Sequence, residues 1–228
     1  MIRNLKILGL AVVAVMAMGA VMASAALATP QFTATEYPVE IHGAGGTGST
    51  AEKFTTEAGT VECGASTFTG TQSGASSTLT MHPTYTECVA FGFLSAAVNT
   101  EECNYIFHAN TKVSTDHYTL STDVSCPAGQ SIKITASTCS AEVKAQTGLT
   151  PVNAVNDPES GGKAEDVTVT PAVNGQIAYT VTRDGFLCPF NGTGNKTGGS
   201  YTATGPVTVT GKTDPGTANE IGVLISGE

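Results

Sequence analysis

The chain has 228 residues, 40% of them hydrophobic and only 13% charged, with a formal net charge of −9 at neutral pH and no Trp. That acidic balance repels polyanions, so no nucleic-acid partner is expected. The missing Trp also removes the aromatic platform on which an extracellular glycan-binding module would normally stack sugars.

The first element in chain order is a leader. Arg3 and Lys6 precede an uncharged, apolar stretch over 7–22, and small residues follow. This three-part pattern predicts a signal peptide over 1–28. The stretch is too short and too rich in Ala and Gly for a permanent span, and no stop-transfer charges follow it. Ala23-Ser24-Ala25 and Ala26-Leu27-Ala28 are competing cleavage sites, the second preferred because Thr29-Pro30 opens the polar chain. Cleavage after Ala28 leaves 228 − 28 = 200 residues and removes two of the ten basic groups but none of the nineteen acids. The mature region 29–228 then carries 8 − 19 = −11, and no stable membrane insertion is expected once the leader is gone.

Helical periodicity is absent from the mature region, whereas period-two alternation recurs. Cys103, Tyr105 and Phe107 share one phase, as do Tyr118, Leu120, Val124 and Cys126. The pattern continues through Ile132, Ile134 and Ala136, then Cys139, Ala141 and Val143, and on to Val167 and Val169. Ile177, Tyr179 and Val181 follow, then Val207 and Val209, then Ile221, Val223 and Ile225. Turn-forming Gly, Asn, Asp, Ser and Pro separate these segments. The expected fold is all-β: an antiparallel β-sandwich or barrel-like unit, or units, stapled by disulfides. The Gly-rich stretches 42–50 and 191–200 precede no helical pattern and read as turns rather than phosphate cradles. A sub-boundary is expected within 151–163 (PVNAVNDPESGGK), where Pro, Gly and charge concentrate.

All six cysteines, Cys63, Cys88, Cys103, Cys126, Cys139 and Cys188, lie in the mature region. An even count outside the cytosol reads as three disulfides, and the shortest gap, twelve residues between Cys126 and Cys139, does not suit a zinc site. Pairing sequence neighbours predicts Cys88 with Cys103 and Cys126 with Cys139, leaving Cys63 for Cys188. That last bridge would cross the 151–163 segment, which favours one closed unit over two beads.

No nucleophile elbow of the G-x-S-x-G kind occurs, and His42, His82, His108 and His117 are scattered. His108 and His117 are expected to meet across a hairpin turn over 109–116. Asp157, Glu159, Glu165 and Asp166 cluster but lack the spacing of a calcium loop. No catalytic, cofactor-binding or metal residue is therefore assigned, and no cofactor is expected.

The segments FTTEAGTVEC (54–63), HPTYTECVAFGFLSAAVNTEECNYIF (82–107), SCPAGQSIKI (125–134) and YTVTRDGFLCPFNGTG (179–194) resemble a set of uncharacterised secreted, cysteine-paired β-rich proteins of soil actinobacteria. The resemblance implies export and a shared β fold with paired cysteines, and carries no activity. The expected function is that of a secreted or cell-surface non-catalytic structural or binding protein, with an extracellular or cell-envelope ligand. Two alternatives remain: a secreted hydrolase with a noncontiguous histidine-centred site, and a calcium-stabilised adhesive domain.

Overall fold

A computed structural model describes residues 29–45, 52–157, 166–183, 185, 188–203, 207–212 and 220–227. The leader predicted over 1–28, with both of its expected cleavage sites, lies outside the described residues, as do Glu159 and Glu165. Among the described residues the chain is all-β, with sixteen strands and no helix. In chain order these are β1 (Gln31–Ala34), β2 (Val39–Gly45), β3 (Glu52–Thr56), β4 (Gly59–Gln72), β5 (Thr78–Ala90), β6 (Leu94–Asn99), β7 (Asn104–Ser114) and β8 (His117–Ser125). They continue with β9 (Ile132–Ala136), β10 (Cys139–Val143), β11 (Gln146–Asp157), β12 (Asp166–Arg183), β13 (Gly194–Ala203), β14 (Val207–Lys212), β15 (Glu220–Ile221) and β16 (Val223–Ser226).

Alternation in the sequence becomes alternation in burial. In β9 and β10, Ile132, Ile134, Ala136, Cys139, Ala141 and Val143 are all buried while their neighbours face outward. The β-branched Val, Ile and Thr that dominate these strands suit a pleated, half-buried surface.

Three long strands, β4, β5 and β12, run through the whole molecule, and the shorter strands pair with one half of each. In one half the antiparallel pairings pass from β2 to β4, β5, β7, β8, β11, β12 and β14, and return to β2. In the other they pass from β3 to β4, β5, β6, β9, β10, β12 and β13, and return to β3. The course is barrel-like but only partly regular, since register shifts interrupt β7 against β8, β8 against β11, and β12 against β13. The main hydrophobic core fills both halves, reaching from Phe32, Ile41 and Val209 to Ile134, Val181 and Phe190, beside a small cluster of Cys63, Tyr85 and Cys88. Strand β1 pairs with β16 as a separate small sheet. Asn156 ties it down: its amide donates to Ile225 O at 2.8 Å and its carbonyl accepts from Ile225 N at 2.9 Å.

Three disulfides are present, but not those expected from sequence neighbourhood. The bridges are Cys63–Cys88, Cys103–Cys126 and Cys139–Cys188. Antiparallel register explains the correction. Cys63 stands directly opposite Cys88 on β4 and β5, and Cys103 and Cys126 flank the Asn104↔Ser125 pair of β7 and β8. Cross-strand partners reflect about a turn, so the cysteines that meet sit on either side of the same hairpin. Cys139, opposite Arg183 at the end of β12, is then placed to take Cys188.

The expectation that the glycine-rich stretches are turns changes. Residues 42–45 belong to β2 and 194–200 to β13, so these glycine-rich segments are largely strand; 46–50 lie outside the described residues. On β4, outside these segments, Gly70 is also required, because a Cβ would sit 2.3 Å from Thr80 O and 2.8 Å from Met81 Sδ. Within the 151–163 segment, residues 151–157 complete β11, paired on both sides by β8 and β12, and 158–163 lie outside the described residues.

Candidate binding cavity

The histidines do not converge. His42 is half-buried beside Glu40, at 3.6 Å, and His82 Nδ1 lies 3.1 Å from Cys103 O. His108 and His117 share the β7–β8 hairpin but do not meet, because its turn is tighter than expected: His117 faces Ser114 in register and His108 faces Ser121. His108 Nε2 instead lies 3.0 Å from Asp123 Oδ2, while Asp123 Oδ1 accepts from Gly148 N at 2.8 Å. Both residues occupy the outward phase of their strands, since Tyr105, Phe107, Thr122 and Val124 take the inward one. Among the described residues no Ser or Thr hydroxyl hydrogen-bonds to His108, so the pair lacks the nucleophile that a hydrolytic triad needs. Asp157 and Asp166 close β11 against β12 in register, and among the described residues no three His, Cys, Asp or Glu side chains gather as metal ligands.

The inward phase converges on a different feature. An internal cavity of about 100 Å³ runs through the core, walled almost wholly by aliphatic and aromatic side chains such as Phe54, Phe68, Leu120, Val152 and Ile177. Two polar side chains on its wall carry buried oxygens without hydrogen-bond partners, Glu52 Oε2 and Thr122 Oγ1. Glu52 is 3% exposed and Thr122 7%. Leaving such atoms unpaired in an apolar interior costs about 1–3 kcal/mol each. A wall that is apolar apart from a few convergent polar atoms is the usual make-up of a small-molecule site.

Neighbouring strands assemble a hydroxyl cluster around Glu52. Ser66 on β4 donates to Glu52 Oε1 at 3.1 Å. Across β4 and β5, Ser66 stands opposite Tyr85, whose hydroxyl lies 2.9 Å from that of Tyr105 on β7 and 2.9 Å from that of Tyr201 on β13. Aromatic packing fixes the rings: Phe68 and Tyr201 both pack edge-on against Tyr85, at 6.2 and 6.4 Å between centroids. Five strands, β3, β4, β5, β7 and β13, supply the members of the cluster.

Burial dominates the electrostatics. It pushes Glu52 above the usual carboxylate range, outweighing the Ser66 and Tyr201 hydroxyls that favour the charged form. Burial likewise raises Tyr105 to about 12 and holds Tyr85 and Tyr201 well above an ordinary phenol. All three tyrosines therefore stay protonated, as hydrogen-bond donors, at physiological pH. Among the described residues no Lys, Arg or His lines the cavity.

Reading the sequence alone missed this cluster, although one signal was present. Glu52 shares strand phase with Phe54, and an acid on the apolar phase marks a buried charge. The acids of 157–166 stand together in the sequence, whereas Glu52 stands apart from the other acids. No protein-family model, curated protein or solved structure matches the chain.

Proposed function

We propose that the mature chain is a secreted, non-catalytic binding protein that holds a small, largely apolar molecule inside its β core. The observation that carries this reading is the apolar cavity with two unpartnered buried oxygens on its wall, Glu52 Oε2 and Thr122 Oγ1. A ligand that fills the space and meets those oxygens removes both the packing defect and the desolvation penalty.

Export is supported by the leader-like start and by six cysteines that are all paired, which suits an oxidising compartment. Among the described residues no helix is long and apolar enough to cross a membrane.

The test is a thermal-shift and calorimetric titration of the mature chain with toluene, a neutral molecule small enough for the cavity. A ligand at about a hundred times its Kd stabilises the fold by about 2.7 kcal/mol. The melting temperature should rise with toluene concentration, and Val124→Phe, which fills the cavity, should abolish the rise. If the cavity binds neither toluene nor any small apolar molecule, the reading is wrong.

A further inference from the structure

We infer that the interior cavity selects an apolar molecule carrying a single amine, whose ammonium group pairs with Glu52. The inference rests on the binding reading above and specifies the ligand's chemistry. Its first ground is the hydrogen-bond inventory of the cluster. Ser66 donates to Glu52 Oε1, and the Tyr85 hydroxyl bonds to those of Tyr105 and Tyr201. Oε2 is left with open acceptor capacity beside the cavity. The Tyr201 hydroxyl also bears on the Glu52 carboxyl, so what the site lacks among the described residues is a cation.

The second ground is charge. Glu52 is 3% exposed, and among the described residues no Lys, Arg or His lines the cavity to neutralise it. The groups facing it are the hydroxyls of Ser66 on β4, Tyr85 on β5, Tyr105 on β7 and Tyr201 on β13. A ligand carboxylate would place a second anion in the same apolar space without a counter-ion, so fatty-acid-like molecules are excluded. An alcohol would fill the open acceptor position but leave the carboxylate charge uncompensated. An ammonium group does both, and phenylalanine and tyrosine rings around it add quadrupole attraction. The mature charge of −11 draws cations toward the protein over longer range.

Binding then couples to a proton. Burial keeps the empty site's Glu52 protonated to higher pH than an ordinary carboxyl, and pairing with an ammonium requires it ionised. The amine enters already protonated, Glu52 releases its proton to solvent, and no covalent bond forms or breaks. Affinity should rise about tenfold per pH unit below the Glu52 pKa and level off above it.

The experiment is isothermal titration of the mature chain with benzylamine, benzyl alcohol, benzoate and toluene, at several pH values and in two buffers of different ionisation enthalpy. Benzylamine should bind at least tenfold more tightly than toluene or benzyl alcohol, benzoate should not bind, and up to one proton should be released. Glu52→Gln should reduce benzylamine affinity to that of toluene while toluene binding persists, which also shows that the variant is folded. Benzyl alcohol or benzoate binding as tightly as benzylamine, or an affinity unchanged by Glu52→Gln, would overturn the assignment and leave the apolar cavity reading intact. Failure of all four to bind would overturn both.

Discussion

Glu52 concentrates the unusual chemistry of this protein in one side chain. It sits on β3 in the phase that Phe54 uses for the core, and its carboxyl meets a serine and a tyrosine hydroxyl rather than a cation. Because its folded-state pKa is raised, the folded protein holds a proton that the unfolded chain gives up more easily. The contribution to stability is full below the unfolded pKa of about 4.3, and is lost as pH rises through the raised folded value. Replacing Glu52 by Gln keeps the shape and removes the charge. The variant should match the wild type near pH 4 and exceed it by about 2–4 °C in melting temperature at pH 8. Parallel thermal melts across that range provide the check; a gap that shrinks as pH rises would contradict the sign.

Among the elements, the disulfides divide by what else holds their strands. Cys63–Cys88 joins two strands already zipped by a long run of cross-strand pairs, and Cys103–Cys126 caps the β7–β8 hairpin. Cys139–Cys188 differs, since Cys188 follows the end of β12 and lies outside any strand. The sequence separations are 25, 23 and 49 residues. In the chain-entropy model these loops are worth about 3.5 kcal/mol for each shorter bridge and about 4.1 kcal/mol for the longest. Replacing Cys139 and Cys188 together by Ala should therefore lower the melting temperature more than the same change at Cys63 and Cys88. Differential scanning calorimetry of the two double variants decides the order, and an equal or reversed loss would show that the 188–190 segment is held by Phe190 packing instead.

For the molecule as a whole, continuity is the main consequence of the topology. β4, β5 and β12 belong to both barrel-like circuits, and the main core includes both Phe32 and Phe190. Neither half can open without tearing strands that the other half needs. Thermal unfolding with the disulfides intact should therefore be one transition with equal calorimetric and van't Hoff enthalpies. Two resolved endotherms would show that the halves fold separately.

Strand content was legible in the sequence because side-chain alternation is local: Ile132, Ile134 and Ala136 declare their face whatever lies beside them. The number of bridges was legible for a similar reason, since it needs only a cysteine count and a compartment. Which strands become neighbours is not a local property. Cys88 meets Cys63 rather than Cys103 because β5 is zipped to β4 along its length, a choice made by closure of the sheet and not by distance in sequence. Glu52 becomes a buried acid for the same reason. Strands β3, β4, β5, β7 and β13 converge around it only when the barrel-like wall closes, and that closure brings the hydroxyls of Ser66, Tyr85, Tyr105 and Tyr201 together while excluding the water that would have kept an isolated glutamate ordinary.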